Sequence, residues 1–375
     1  MKKQTEMAQP VLLTPGPLTT APETRHAMLR DWGARDRDFV DMTARVRSRL
    51  LAMAGGGDCM TAVPMQGSGT FAVEAMLASL VPPQGKVLIL ENGAYGRRMA
   101  EICRRIGRNH IRLSWPEDEP VGAARLADAL ENDPSFSHVA LVHVETTSGI
   151  LNPLPEIAAL VADAGAKLLI DAMSAFGAVP LDARQTPFEA LAASSNKCLE
   201  GAPGLGFVTA HTEALDRARG NAPSLSLDLH DQWRGFENNG QWRFTPPTHV
   251  VAALDAALLD HATEGGVAGR GARYRQNCRI LRQGMAEIGF SPFLAEAVQA
   301  PVIVTFLMPR DPAFDFRRFY DGLYRRGFVI YPGKLTKADS FRVGCIGQVD
   351  QAVMRDFLHA VRQVVAEIGV SDLSP

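Results

Sequence analysis

The chain has 375 residues, 46% of them hydrophobic and 21% charged, with a formal net charge of −2. That length exceeds what one hydrophobic core normally serves, so a large lobe and a smaller one are expected. The near-neutral balance gives nucleic acid or an anionic membrane surface no electrostatic hold and leaves small-molecule chemistry as the expectation.

The first residues, MKKQTEMAQPVLLTPGP, carry Lys2 and Lys3 without an apolar run behind them, so no export signal is expected. No segment reaches the roughly 18 consecutive apolar residues of a membrane span. Cys59, Cys103, Cys198, Cys278 and Cys345 show no CxxC spacing and no histidine at ligand spacing. Reduced thiols in a cytoplasmic protein are expected, rather than a disulfide framework or a metal site.

From about residue 65 to 210, short apolar runs alternate with amphipathic stretches. The runs at 87–90, 138–145, 167–173 and 206–210 read as strands; 70–81, 97–107, 123–132 and 155–164 read as helices. This alternation predicts an α/β fold with a mostly parallel sheet covered on both faces, with ligands beyond the carboxyl ends of the strands, where Glu145 and Asp171 fall. A helical tract over roughly 250–288 follows. Strand candidates APVIVTFLM, GFVIY and FRVGCI and helices at 314–325 and 350–368 then suggest a smaller α+β domain. The expected division is an N-terminal segment 1–15 packing on the small domain, a large domain 16–265 and a small domain 266–375.

Chemistry-bearing residues recur at the strand ends. MQGSGTFAVEAML at 65–77 places Ser68, Gly69 and Thr70 at the opening of a helix. Free N–H groups, hydroxyls and the helix dipole suit a phosphate there, although Ser and Thr are also ordinary N-caps. Tyr95 in NGAYG hangs over the strand-end crevice, as a stacking partner for a flat ring or as a turn residue. The arginines at 97, 98, 104, 105 and 108 are expected on the solvated face of one helix. HVETTSGILNP at 143–153 supplies Thr146, placed to bond a cofactor oxygen or a substrate, and Glu145, either a helix-start partner or a surface group. His143 and His249 have no Ser or Cys nucleophile beside them, so they read as packing or hydrogen-bonding residues.

Asp171 directly follows the apolar LLI, where burying a carboxylate is costly without a cation or donor. A pyridinium N–H is one such partner; a water-exposed turn is the alternative. Lys197, in SSNKCLEGAPG, lies among small polar residues before a Gly/Pro turn, open to a substrate, whereas most lysines are only solvated charges. The two together are what a pyridoxal phosphate (PLP) enzyme needs: a carboxylate to keep the ring nitrogen protonated and an amine to form the Schiff base. WRFTPPTHVV at 242–251 offers Thr245 to a phosphate, within reach of a neighbouring subunit. Arg342 in SFRVGCIG brings a planar fork that suits a carboxylate or phosphonate, unless it is a surface strand residue.

The segments LTPGPLT, QGSGTFAVEA, ENGAYG, ETTSGILNP, DAMSAFG, SSNKCLEGAPG, FENNGQWRFTPPTHV, EGGV, GFVIYPGKLT and FRVGCIG resemble the 2-aminoethylphosphonate:pyruvate aminotransferase family, in the class V group of fold-type I PLP enzymes. TTSGILNP, DAM with SSNKC, and VIYPGKLT are more specific than the general class V pattern. The resemblance implies a homodimer with shared active sites, Lys197 as the Schiff-base lysine and Asp171 on the pyridine nitrogen. It also implies Ser68, Gly69, Thr70 and Thr245 of the partner subunit on the phosphate, Tyr95 near the ring, and Arg342 on the substrate's anionic end. The implied reaction moves the amino group of 2-aminoethylphosphonate to pyruvate. Alternatives are an alanine or serine:glyoxylate aminotransferase, a cysteine desulfurase and a non-catalytic binding protein. Cys345 stands where the family reads Asn, which bears on hydrogen bonding around Arg342.

Overall fold

The computed structural model describes residues 9–375, so the first eight residues of the expected N-terminal segment lie outside it. The strands, in chain order, are β1 Val11–Leu12, β2 Met60–Gln66, β3 Lys86–Glu91, β4 Asn109–Ser114, β5 His138–Val142, β6 Val144–Glu145, β7 Ile150–Leu151, β8 Lys167–Asp171, β9 Ala190–Ser194, β10 Leu205–His211, β11 Ile303–Leu307, β12 Phe328–Val329, β13 Tyr331–Pro332 and β14 Ser340–Gly344. The α-helices are α1 Pro22–His26, α2 Arg37–Met53, α3 Gly69–Leu80, α4 Ala94–Arg105, α5 Ala123–Asn132, α6 Leu154–Asp163, α7 Thr212–Arg217, α8 Leu229–Asn239, α9 Thr248–Thr263, α10 Gly266–Ile288, α11 Phe316–Arg325 and α12 Gln351–Ile368.

Seven strands form the main sheet in the order β2, β10, β9, β8, β5, β3, β4. Five of them, β9 to β4, run parallel, and β10 is antiparallel to both of its neighbours. The side chains alternate between two apolar layers. Leu88, Leu90, Leu141, Leu168 and Ile170 pack under α2, α5, α6 and α9, while Val87, Ile89, Val142 and Leu169 pack under α3, α4, α7 and α8. Burying each such side chain contributes about 1.5–3 kcal/mol, and covering both faces is why these strands read as unbroken hydrophobic runs.

The smaller lobe packs α10, α11 and α12 against the antiparallel sheet β11, β14, β13 around Phe290, Phe306, Phe319, Phe341 and Phe357. Residues 11–13 join it: β1 pairs in parallel with β12, and Gly344 N donates to Leu13 O at 2.9 Å. Among the described residues no helix is long and apolar enough to cross a membrane.

Several expectations need correction. The run 138–145 is not one strand: β5 stops at Val142, His143 N donates to Asp171 O at 2.9 Å, and β6 turns back against β7. The tract 250–288 is two helices, because Gly265 and Gly266 have φ of +99° and +67°, a left-handed conformation that ends α9 and restarts the chain as α10. GFVIY divides between β12, which pairs with β1, and β13, which pairs with β14. Arg108 lies beyond α4 and is buried, donating to the carbonyls of Val81, Ala78 and Asn221. It therefore stitches loops together and is not on a solvated helix face.

A buried ionic cluster joins the lobes behind the Lys197 loop. Glu200 has a φ of +58°, a conformation a non-glycine residue keeps only when its surroundings fix it. Its carboxylate accepts from Arg273 Nη2 at 2.8 Å, Tyr274 Oη at 2.5 Å and Gln348 Nε2 at 2.9 Å, with Arg270 Nη1 at 3.4 Å. Arg270 Nη1 also donates to Cys198 O at 2.7 Å. Removing one partner of such a cluster strands a buried charge. Arg270→Met is expected to lower stability by about 3–5 kcal/mol, read as a lower thermal unfolding midpoint, and Glu200→Gln added to it should restore part of the loss.

Candidate active site

A cavity of about 180 Å³ opens at the carboxyl edge of the sheet, lined among others by Ser68, Gly69, Thr70, Tyr95, Asp171 and Lys197. The helix α3 enters it end-on. Ser68 is the N-cap of α3, yet its side chain makes no capping hydrogen bond, so the ordinary capping role is unfilled and the hydroxyl remains for the cavity. Helix α3 packs closely here: a Cβ at Gly69 would lie 2.2 Å from Met173 Sδ, so a larger residue would have to displace the Met173 side chain.

Asp171 is 5% exposed. Its Oδ1 accepts from Met173 N at 3.0 Å, and no hydrogen bond reaches Oδ2 among the described residues. Burial, with the nearby Glu145 adding repulsion, outweighs the Met173 bond and the cations Arg98 and Lys197 and pushes the carboxyl up to about 6. The exposed-turn alternative is therefore excluded. Lys197 Nζ faces the same cavity and donates to Pro15 O at 2.5 Å, so the N-terminal segment runs directly over it. Burial lowers its affinity for protons, against the opposing pull of Tyr95, Cys198 and Asp171.

Tyr95 N, in the first turn of α4, donates to Glu145 Oε2 at 3.0 Å. Glu145 also accepts from Thr147 N at 2.9 Å and Thr147 Oγ1 at 2.7 Å, which makes it the fully buried brace of this helix start. Burial raises its pKa against those bonds. Thr146 is buried, and its carbonyl accepts from Arg342 Nη1 at 3.0 Å. The Arg342 Nε donates to Pro332 O at 3.1 Å, so the guanidinium is 2% exposed and aimed from β14 towards the large lobe; it is not a surface strand residue. Cys345 is buried, and its carbonyl accepts from Asn277 Nδ2 at 3.2 Å. His143 is buried with Nδ1 unpartnered among the described residues, and burial pushes it down to about 4. The exposed His249 meets Asp31 at 3.0 Å. Thr245 is exposed and does not line this cavity within its own chain.

Arg98 is exposed on α4, as expected, but the sequence reading missed its contacts at the cavity rim. Its Nη1 donates to Thr70 Oγ1 at 3.0 Å and its guanidinium lies 4.7 Å from the Tyr95 ring centroid. The spacing of three residues from Tyr95 was the available signal, because i and i+3 share a helix face. Ser194 was also missed; it lines the cavity with a buried hydroxyl lacking a partner among the described residues. A larger cleft of about 370 Å³ lies near the opposite edge of the sheet, but its buried carboxylate is satisfied: Glu189 meets His138 at 3.0 Å and Arg217 at 2.9 Å.

The donor set fits PLP. An unfilled hydroxyl and helix start suit its phosphate, a buried carboxylate with a free oxygen suits its ring nitrogen, and an amine with lowered proton affinity suits its carbonyl carbon.

Comparison with known proteins agrees in kind. The family described as aminotransferase class-V matches residues 32–320. A 2-aminoethylphosphonate–pyruvate transaminase of Pseudomonas fluorescens is 55% identical over 367 residues, covering 98% of this chain and 100% of that protein. One from Pseudomonas entomophila is 55% identical over 364 residues, covering 97% and 99%. Among solved structures, pyridoxamine–pyruvate aminotransferase from Mesorhizobium loti superposes with a TM-score of 0.89 at 25% identity, covering 98% of this chain and 94% of that one. Alanine–glyoxylate aminotransferase from a Nostoc species gives 0.88 at 26% identity, covering 97% of each.

The raised Asp171 has a pH signature in the cofactor-free chain. Below about pH 3 the carboxyl is protonated both folded and unfolded and costs nothing. Between about pH 4 and 6 the unfolded chain has ionised while the folded one keeps the proton on its buried group, so stability falls across that window and levels off above it. Asp171→Asn should stabilise the cofactor-free protein by about 3 kcal/mol at pH 7 and by nothing below about pH 3, as read from unfolding midpoints across pH.

Proposed function

The chain belongs to the class-V aminotransferase family, and from that membership we propose that it moves the amino group of 2-aminoethylphosphonate to pyruvate, giving phosphonoacetaldehyde and L-alanine in phosphonate breakdown. The observation that carries the reading is the shared cavity, where a buried, unneutralised Asp171 and a reachable Lys197 meet the open start of α3. The relatives at 55% identity across nearly the whole chain support the choice of substrates.

When bound, PLP supplies an electrophilic carbon and a ring that takes up the electron pair left as the donor's C–H bond breaks. Ser68, Gly69 and Thr70 would hold its phosphate with hydroxyls and free N–H groups. Asp171 would keep a proton on the pyridine nitrogen, a pairing that would offset the water the carboxylate lost on burial. Lys197 Nζ would hold the cofactor between turnovers and would take the proton from the donor's amine-bearing carbon, a task helped by its lowered proton affinity. Tyr95 would border the ring and Thr146 would bond its phenolic oxygen or the substrate. Arg342 binds the donor's phosphonate in one half-reaction and pyruvate's carboxylate in the other. The donor has no α-carboxylate, so its affinity must come from that distal anion.

The reading includes a cytoplasmic homodimer. Free thiols, with Cys59 exposed, fit a reducing compartment. Phe71, just after the phosphate cradle, is 49% exposed, and Phe244, beside Thr245, is 41% exposed; a subunit contact would cover both rings. Thr245 of the partner subunit then completes the phosphate site.

With 2-aminoethylphosphonate alone, the wild-type holoenzyme should convert its cofactor to the amine form far faster than with serine; the reverse order would favour a glyoxylate-type enzyme. Lys197→Ala should show no borohydride-fixed cofactor and a loss of turnover of about 10³-fold or more; retention of both would overturn the reading. Mixing Lys197→Ala chains with Thr245→Asp chains, each inactive alone, should restore about a quarter of wild-type activity, because half the random dimers carry one intact site. No recovery in dimers shown to have exchanged would refute the shared site.

A further inference from the structure

We propose that Lys334 is a second phosphonate-binding cation, which gives this site its preference for a doubly charged donor; the inference rests on the substrate reading above. A phosphonate, like a phosphate monoester, presents three oxygens and can carry a second negative charge, whereas pyruvate presents a single charge. Arg342 supplies one positive charge. Its Nε and Nη1 already donate to Pro332 O and Thr146 O, so the fork is fixed, and Nη2 is its nitrogen without a protein partner among the described residues. A dianion needs a second cation within reach.

Lys334 lies two residues beyond the Pro332 carbonyl that holds Arg342, in the VIYPGKLT segment. Two anchors draw this loop across the large-lobe cavity. Gly333 N donates to Ser340 O at 2.7 Å, and Thr336 N and Oγ1 donate to Glu117 Oε2 at 2.9 and 3.2 Å. Glu117 is itself held by Arg97 at 3.1 Å. Between these anchors Lys334 Nζ lies 5.4 Å from the centroid of the Tyr95 ring, the ring that Arg98 also covers.

Among the described residues no carboxylate forms an ion pair with Lys334. Its neighbourhood is cationic: Arg98 from α4, Lys197 from the loop after β9 and Arg342 from β14 all act on the same tyrosine or its surroundings. The carboxylates nearby are Asp171, which lines the cavity, Glu145, which is spent on α4 and Thr147, and Glu117, which is held by Arg97 and Thr336. Three cations around a free lysine repel one another until an anion arrives. Arg98 and the α3 start answer the cofactor's phosphate, so Lys334 and Arg342 remain for the substrate's own anion. Because Lys334 is exposed and rotatable, it can withdraw when the singly charged acceptor takes the donor's place.

The test titrates the holoenzyme calorimetrically, at a pH above the second ionisation of ethylphosphonate, with ethylphosphonate and with its monomethyl ester, which then differ by one charge at nearly equal size. The wild type should bind the dianion about tenfold more tightly, Lys334→Met should reduce the preference to within about twofold, and Lys334→Arg should retain it. In turnover, Lys334→Met should raise the KM for 2-aminoethylphosphonate about tenfold more than that for pyruvate. Unchanged discrimination in Lys334→Met, or equal rises in both KM values, overturns the inference while the substrate reading stands. A wild type that turns over no 2-aminoethylphosphonate overturns that reading and the inference with it.

Discussion

A carboxylate at the end of a buried strand sets the terms for the whole site. Asp171 reaches the cavity with one oxygen bonded to a backbone N–H and the other free, and burial holds its pKa at about 6. β8 is the central strand between β5 and β9, and Asp171 at its carboxyl end is 5% exposed. Within the chain the nearby cations do not neutralise Asp171, because Lys197 turns to Pro15 O and Arg98 to Thr70. In the proposed reaction a cationic ring nitrogen would supply the missing partner, which would link this buried carboxylate to the chemistry of the family.

The site is assembled from both lobes, and several contacts keep them in register. Lys197 reaches the N-terminal segment at Pro15, while Arg342 reaches across to Thr146, Thr336 to Glu117, and Gln348 to Glu200. The Glu200 cluster matters most for the lysine. Glu200 N donates to Lys197 O at 2.9 Å, so the strained turn that presents Lys197 is pinned to α10 and to the strand end beyond Arg342. Arg342 and Lys197 are thereby held relative to one another by buried ion pairs, which hold geometry even where their net contribution to stability is small.

What was legible in the sequence were residues whose type conflicts with their neighbours. Asp171 after LLI, Lys197 before a Gly/Pro turn, and Ser68 to Thr70 at a helix opening each stood out because a buried or terminal position demands a reason for a polar group. The parallel sheet was legible because its strands are apolar on both faces. β4 was not, since NHIRLS is an exposed edge strand without an apolar run, and ALAAS of β9 has no β-branched residue to mark it. Arg98 and Lys334 were hidden for another reason. Local pattern says that an arginine or lysine is charged, but only tertiary packing decides that Arg98 turns onto Thr70 and that the loop after β13 folds Lys334 over Tyr95. Glu145 likewise resolves as the brace of α4 only once Tyr95 and Thr147 meet it in space.

The most direct test of the central claim follows the nitrogen atom. Holoenzyme given ¹⁵N-labelled 2-aminoethylphosphonate and unlabelled pyruvate should yield L-alanine carrying the label, one molecule for each phosphonoacetaldehyde formed, with no free ammonium. Label appearing as ammonium, or pyruvate left unaminated while the donor is consumed, would contradict transfer through this site.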